Sequence, residues 1–178
     1  MQIPLPEPSQ TDEILNAVNP AKDVDGLNKK TIFDAATPTA INWLLSSYNI
    51  DLRGKKTVVV GQGRLVGKPI YQLLKSSGVE VEAVDKKTID IEKIVSDADI
   101  IISATGRPNS IKNSMIKAGA VVVDAGTSTD SSGLVGDVEP AVRERDDITI
   151  TPVSGGVGPL TVSALFENVI RAAQNASR

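Results

Sequence analysis

The sequence has no cysteine and no histidine among its 178 residues. Without cysteine, the chain can form neither a disulfide framework nor a thiolate metal site. Without histidine, imidazole cannot act as a general base or as a metal ligand. We therefore look for function in backbone amides, hydroxyls and carboxylates, and we predict no metal site.

Aromatic residues are also scarce, at 3% of the chain. The core must then be built from Val, Ile, Leu and Ala, a composition that suits buried parallel strands beneath helices. The apolar share of 40% and the charged share of 23% are typical of globular proteins. The length favours one domain of ordinary size.

The chain carries no excess of positive charge, since its net charge is -3 and its pI is near 5.0. Such a charge gives no long-range attraction to nucleic acid or to anionic membranes, so neither is an expected partner. Residues 1–13 lack the basic and apolar regions of a signal peptide, and no apolar run approaches the roughly 20 residues of a membrane span. We expect a cytoplasmic protein.

From Lys55 onward, short β-branched runs alternate with amphipathic stretches. This alternation predicts a Rossmann-type, doubly wound α/β fold. The expected strands are Thr57–Val60, Glu80–Val84, Ile100–Ala104, Ala120–Asp124 and Thr149–Thr151. Helices or helical turns are expected at 67–76, 91–96, 113–117 and 139–143.

Three helices are predicted outside this alternation. One begins at a capping Thr11 and runs to about Val18, and a second begins at a capping Thr37 and runs to about Tyr48. The third runs from Leu160 to about Asn175 and carries one apolar stripe. We accordingly divide the chain into an N-terminal linker and domain remnant (1–36), a dinucleotide-binding domain (37–160) and a C-terminal helix (161–178).

The strongest motif is a glycine-rich turn between a strand and a helix, with Gly61, Gly63 and Gly67 at its key positions. Gly61 would permit the tight turn, Gly63 the approach of a diphosphate, and Gly67 close packing of the helix. Amides at the helix start would hold the anion. The alternative is a strand-to-helix turn whose glycines serve the backbone alone.

Asp85 directly follows the second expected strand, at the place where an acidic residue can bind the ribose hydroxyls of a dinucleotide. Asp85 would repel a 2′-phosphate and so favours NAD as the cofactor. Lys86 and Lys87 could neutralise that phosphate, which keeps NADP possible. A solvated loop without a ligand is the third interpretation.

Eight segments, taken in order, resemble the methylenetetrahydrofolate dehydrogenase/cyclohydrolase family. They are Gln2-Ile3-Pro4-Leu5-Pro6, Lys22-Asp23-Val24-Asp25-Gly26, Thr37-Pro38, the loop from Val60 to Pro69, Ala104-Thr105-Gly106 with Pro108, Lys117 with Gly119-Ala120, Gly136-Asp137-Val138, and Thr151-Pro152-Val153 with Gly155-Gly156-Val157-Gly158-Pro159-Leu160-Thr161. The resemblance implies oxidation of 5,10-methylenetetrahydrofolate by a nicotinamide cofactor, followed by hydrolysis to 10-formyltetrahydrofolate.

The same resemblance assigns roles to particular residues. Gln2 would support the catalytic lysine, and Asp25 would bind the pterin, whose adjacent N–H donors suit a carboxylate. The substrate site would also include Gly155, Gly156, Val157, Gly158, Pro159 and Thr161. The cofactor site would comprise Thr37, Gly61, Gln62, Gly63, Arg64, Val66, Gly67, Asp85, Thr105, Gly106, Pro108, Gly126 and Thr127.

The sequence also departs from the family pattern. Gln62 and Gly63 stand where the family carries Arg-Ser, which removes an arginine suited to a 2′-phosphate. We expect the chain to lack the N-terminal domain whose Tyr-x-x-x-Lys lysine drives the cyclohydrolase step. Tyr71 and Lys75 match that spacing, but we interpret them as an ordinary i, i+4 pair on a helix surface.

Two functional hypotheses remain open. The first is a folate oxidoreductase, acting as a homodimer or with a complementing N-terminal domain. The second is a non-catalytic dinucleotide-binding module with a role in regulation or assembly.

Overall fold

A parallel five-stranded sheet forms the centre of the computed structural model, which describes residues 3–131 and 133–177. Its strands are β1 (Thr57–Val60), β2 (Val81–Val84), β3 (Ile100–Ser103), β4 (Val121–Asp124) and β7 (Thr149–Ile150), in the order β2-β1-β3-β4-β7. The order reverses at β1, which lies between β2 and β3. This parallel, doubly wound topology confirms the predicted fold class.

Five α-helices accompany the sheet in the described residues. They are α1 (Thr11–Ala17), α2 (Ala36–Ser47), α3 (Gly67–Ser76), α4 (Ile91–Ser96) and α5 (Val157–Ala176). Short 3-10 segments lie at Pro8–Gln10, Pro20–Lys22, Asn113–Met115 and Pro140–Glu144. No helix in these residues is long and apolar enough to cross a membrane.

The alternation of side chains along each strand divides the core into two layers. Val58 and Val60 face a cluster that includes Val95 of α4, whereas Val59 faces Ile41 of α2 and Ile70 of α3. Both faces of the sheet are therefore covered, which explains why β1 and β3 are apolar at almost every position.

Some predicted boundaries are wrong in detail. Thr37 lies inside the first turn of α2 rather than at its cap, because Ala35 is the N-cap and supplies no side-chain hydrogen bond. Thr11 is likewise the first residue of α1, after the N-cap Gln10. Helix α5 begins at Val157, three residues before the expected Leu160.

The patterns in the sequence did not predict a β-hairpin. An antiparallel hairpin joins β5 (Ser128–Asp130) to β6 (Gly133–Val135) after the sheet strand β4. Its strands have only three residues each, too short to show a period of two in the sequence.

Candidate functional site

The candidate site lies at the carboxyl edge of the sheet, where the loops after β1, β2, β3 and β4 meet. This is the edge at which open α/β sheets bind their ligands, next to the point where the strand order reverses. Three connected openings follow the edge: a recess beside β2, a trough above β1 and β3, and a larger cleft beside β4.

The glycine loop after β1 brings backbone close to backbone. Gly61 has a φ of +94° and lies against the carbonyl oxygen of Ala104, where a Cβ atom would collide with it. A Cβ on Gly67 would overlap the carbonyl oxygen of Gly61. Gly63 has open space around it, so the loop offers room where a diphosphate is expected.

Helix α3 begins directly after this loop. Its first hydrogen bonds run from Lys68 N to Gly63 O at 3.0 Å and from Ile70 N to Val66 O at 2.9 Å. Because these two N–H groups already have acceptors and Pro69 has no N–H, an anion would be held by the N–H of Gly67 and by those of the loop before the helix. The loop therefore fits the diphosphate of a dinucleotide.

The recess beside β2 has a volume of about 320 Å³ and includes Asp85. The Asp85 carboxylate accepts the backbone N–H of Lys87 at 2.8 Å. The backbone N–H of Asp85 donates to the Thr88 hydroxyl at 2.9 Å. Lys86 and Arg107 line the same recess. One carboxylate and two cations thus face the place where the adenosine ribose is expected.

The trough above β1 and β3 has a volume of about 410 Å³. Many of the predicted cofactor residues line it: Gly63, Arg64, Val66, Thr105, Gly106, Gly126 and Thr127. The Arg64 guanidinium forms an ion pair of 2.5 Å with Asp12 of α1. The hydrogen bond from Arg64 lowers the pKa of the Asp12 carboxyl.

The large cleft beside β4 has a volume of about 670 Å³. Asp25 and Thr37 line it together with the predicted substrate residues Gly155, Val157, Gly158, Pro159 and Thr161. The Thr161 hydroxyl lies 3.4 Å from that of Thr37, which joins α5 to α2 beside the cleft. The cleft and the trough share Val66, Gly126 and Thr127, so they are continuous.

Several predicted residues occupy other positions. Gly156 lines a separate apolar pocket behind the cleft, and Pro108 and Gly67 line none of the three openings. Gln62 lines the recess, and its side chain donates to the carbonyl of Gly61 at 2.9 Å. Gln2 lies outside the described residues.

Tyr71 and Lys75 form the local pair that their spacing predicts. The Lys75 Nζ lies 3.2 Å from the Tyr71 hydroxyl and 5.4 Å from the centre of its ring. Both residues belong to α3, and neither lines the three openings. The geometry matches a surface i, i+4 pair.

Sequence reasoning missed a buried polar network under the loops. Asp124 at the end of β4 accepts hydrogen bonds from Gly126 N at 3.1 Å and Asp137 N at 3.0 Å, and it forms an ion pair with Arg143. Ser103 at the end of β3 donates to Asp137 at 2.8 Å. The only signals in the sequence were polar residues at two strand ends and the segment Gly136-Asp137-Val138.

The glycine loop, the acidic residue after β2 and the openings along the carboxyl edge define a Rossmann-type domain with a candidate dinucleotide site. Residues 35–177 match the family model described as tetrahydrofolate dehydrogenase/cyclohydrolase, NAD(P)-binding domain. The chain belongs to this family, as the resemblance in its motifs indicated.

Similar proteins are found in several organisms. The bifunctional protein FolD of Pelobacter propionicus is 39% identical over 184 residues, which cover 98% of this chain and 65% of the relative. That of Helicobacter hepaticus is 42% identical, with 97% of this chain and 64% of the relative covered. The chain thus spans about two thirds of the length of the curated relatives that it matches.

Solved structures show the same fold. The bifunctional FolD methylenetetrahydrofolate dehydrogenase/cyclohydrolase of Campylobacter jejuni superimposes with a TM-score of 0.89 at 37% identity, covering 98% of this chain and 66% of that one. The FolD enzyme of Trypanosoma brucei, solved with NADP and an inhibitor, also gives 0.89, at 34% identity, covering 99% of this chain and 66% of that one.

Proposed function

We propose that this chain binds a nicotinamide dinucleotide along the trough and presents the nicotinamide to a reduced folate in the large cleft. The reaction would be the oxidation of 5,10-methylenetetrahydrofolate to methenyltetrahydrofolate, in one-carbon metabolism. The relatives named FolD dehydrogenase/cyclohydrolase support this reaction. The hydrolysis to 10-formyltetrahydrofolate is proposed only for an enzyme that also contains the family's lysine.

One observation carries this proposal. Asp25, Gly155 and the start of α5 at Val157 and Gly158 line one cleft. This cleft continues into the dinucleotide trough through Val66, Gly126 and Thr127. A module that bound only a dinucleotide would have no need for a second cleft with a carboxylate at this end. The arrangement therefore favours two ligands that meet near Gly126.

The residues of the chain would act by binding and orientation. The amides of the glycine loop would hold the diphosphate, and Asp25 would accept hydrogen bonds from the pterin edge. When bound, the nicotinamide supplies the acceptor for a hydride. The apolar side chains of Pro152, Val153, Val157 and Pro159 would keep water away from the reacting carbon.

We propose NAD as the cofactor because of Asp85. A carboxylate beside β2 binds two ribose hydroxyls and repels a 2′-phosphate. Two observations favour NADP instead: Lys86 and Arg107 share the recess, and the Trypanosoma brucei relative was solved with NADP. The two cofactors are therefore compared directly in the test.

The binding test follows the thermal stability of the protein during titration with each dinucleotide. A ligand that binds only the folded state raises the melting temperature by mass action. We expect a larger shift with NAD than with NADP at equal concentration. A shift with NADP alone would overturn the choice of NAD, and no shift with either would overturn the binding proposal.

The non-catalytic alternative has one observation in its favour. Among the described residues that line the large cleft there is no lysine or arginine, and Asp25 and Asp124 are its only charged side chains. The assay adds methylenetetrahydrofolate and NAD to the purified chain and follows the absorbance of reduced nicotinamide. Turnover that Asp25→Asn abolishes supports the enzyme, whereas dinucleotide binding without turnover supports the module.

We also propose that the protein associates with itself through α5. Val162, Phe166, Val169 and Ile170 form an apolar face there, with 44% to 63% of each residue exposed. Burial of such a face stabilises a dimer through the hydrophobic effect. Light scattering at micromolar concentration should give twice the mass of the chain, and Phe166→Asp should reduce it to one. A monomeric mass for both the parent chain and Phe166→Asp would contradict the proposed dimer.

A further inference from the structure

Asn168 is an unusual residue in α5 because it is polar and only 5% exposed. Its neighbours Glu167 and Val169 are both exposed, whereas Ala164, one turn earlier, is buried. Asn168 therefore lies on the buried face of the helix. A buried amide must be hydrogen-bonded to offset the loss of its water.

The side-chain amide of Asn168 satisfies this demand with two backbone carbonyls of a single segment. Its Nδ2 donates to Val24 O at 2.9 Å and to Asp34 O at 2.9 Å. These carbonyls lie ten positions apart in the chain, so one amide closes the loop of residues 24–34. Arg171, one turn further along α5, lies 5.8 Å from the ring of Phe33 and braces the same loop.

The loop held by Asn168 carries Asp25, the residue directly after Val24. Asp23, which precedes this loop, stabilises it through two hydrogen bonds. The backbone carbonyl of Asp23 accepts the N–H of Gly26 at 2.9 Å, and its carboxylate accepts the N–H of Asn28 at 2.7 Å. Asp25 is thus fixed by the turn around it and by the helix behind it.

Helix α5 also forms the opposite wall of the large cleft, through Val157, Gly158, Pro159 and Thr161. The rise from Val157 to Asn168 is about 16 Å in a regular helix. Helix α5 therefore forms one wall of the cleft at its start, and about three turns later its Asn168 holds the loop that carries Asp25. The bond from Asn168 to Val24 therefore links the two walls of the cleft.

From this geometry we infer that Asn168 is a positioning residue. It holds Asp25 at the correct distance from the cleft wall at the start of α5, so that a folate can bind between them. This inference rests on the proposed function and names the element that sets the geometry of its substrate site. Asn168 itself does not line the cleft, so it acts through the loop.

The first test measures hydrogen exchange in the complete chain and needs no ligand. Asn168→Ala should raise the exchange of the Gly26 and Asn28 amides about tenfold, because two hydrogen bonds that hold the loop are lost. Amides of β1 and β3 should be unaffected. Asn175→Ala, at an exposed position of the same helix, is the control. Unchanged exchange at Gly26 and Asn28 would overturn the inference.

The second test is a double-mutant cycle with tetrahydrofolate as the probe. Asn168→Ala should weaken tetrahydrofolate binding about tenfold in the parent chain, but no more than about twofold when Asp25 is already Asn. Equal losses in both backgrounds would show a general structural role and overturn the inference. The affinity for the dinucleotide should stay within about twofold in all four proteins of the cycle, because Asn168 and Asp25 lie outside the dinucleotide site.

A further variant covers the case in which Asn168→Ala does not fold. Asn168→Gln keeps the amide donors on a side chain that is one methylene longer, so it should give an intermediate rise in exchange and an intermediate loss of tetrahydrofolate affinity. If the parent chain does not bind tetrahydrofolate at all, the proposed function fails. The exchange experiment still decides in that case whether Asn168 holds the loop.

Discussion

The Asp137 carboxylate accepts the backbone N–H of Thr105 at 2.6 Å, in the loop that follows β3. Its other oxygen accepts the N–H of Arg107 at 2.9 Å. Asp137 is fully buried, and Gly126 of the next loop packs directly against it. One carboxylate therefore supports two of the loops that line the trough, those after β3 and β4.

The variant Asp137→Asn should weaken dinucleotide binding about tenfold and reduce the free energy of unfolding by about 2 kcal/mol. An asparagine can accept with only one of its two polar atoms, so its NH₂ group would face a backbone N–H donor. Calorimetric titration and urea unfolding measure the two effects.

The control for Asp137→Asn is Asp146→Asn, which removes the same charge from an exposed side chain. We expect Asp146→Asn to leave both the affinity and the stability unchanged. If Asp137→Asn behaves in the same way, Asp137 does not support the loops.

Gly67 and Gly63 form a matched pair for testing the glycine loop. Gly67→Ala would place a methyl group on the carbonyl of Gly61 and should cost about 3 kcal/mol of stability through overpacking. Gly63→Ala meets no atom within 4 Å. It should leave the melting temperature unchanged and weaken dinucleotide binding about tenfold, because the methyl group holds the diphosphate away.

Equal dinucleotide affinity in Gly63→Ala and the parent chain would contradict the assignment of this loop to the diphosphate. Adenosine, which has no phosphate, is a useful second probe. Its binding should be the same in both proteins.

The sequence was most informative where local patterns and tertiary packing agree. Strand β1 and helix α3 lie at their predicted positions because an apolar β-branched run, three glycines and an amphipathic repeat all indicate the same structure. The sequence alone does not distinguish a diphosphate loop from a purely structural turn. The matching family model and the open space at Gly63 support the first.

Long-range contacts could not be found in the same way. Asn168 binds carbonyls 134 and 144 positions earlier in the chain, and Asp137 binds a loop 30 to 32 positions earlier. Periodicity describes neighbours along one element and contains no information about such pairs. Asp23 and Asn28 are likewise both buried, which their positions in a polar stretch of the sequence do not indicate.

The cofactor preference can be altered at Asp85 without loss of the local turn. Asp85→Asn keeps an oxygen that accepts the N–H of Lys87, but it removes the charge that would repel a 2′-phosphate. The ratio of NADP to NAD affinity should rise about tenfold, which is about 1.4 kcal/mol. Lys86→Gln should change the same ratio in the opposite direction, and titrations with both dinucleotides measure it. An unaltered ratio in both variants would place the ribose elsewhere.

The last prediction concerns stability at the end of the sheet opposite the site. Asp99 accepts the N–H of Lys56 at 2.8 Å, just before β1, and forms an ion pair of 2.8 Å with Lys117. The hydrogen bond from Lys117 lowers the pKa of the Asp99 carboxyl, and that from Lys56 adds to the effect. The carboxylate is thus favoured in the folded state.

Because the pKa of Asp99 is lower in the folded than in the unfolded chain, its contribution to stability is present above the unfolded value of about 3.9 and is lost as the pH falls through the folded value. Asp99→Asn should therefore lower the melting temperature by a few degrees at pH 7. The difference from the parent chain should shrink as the pH falls below the unfolded value. Thermal unfolding followed by circular dichroism, at pH 7 and at a pH below the unfolded value, measures this difference. Dinucleotide affinity at pH 7 should be the same in Asp99→Asn and the parent chain, since Asp99 lies far from the carboxyl edge. If the two proteins differ in stability by the same amount at every pH, the charge of Asp99 is not the cause.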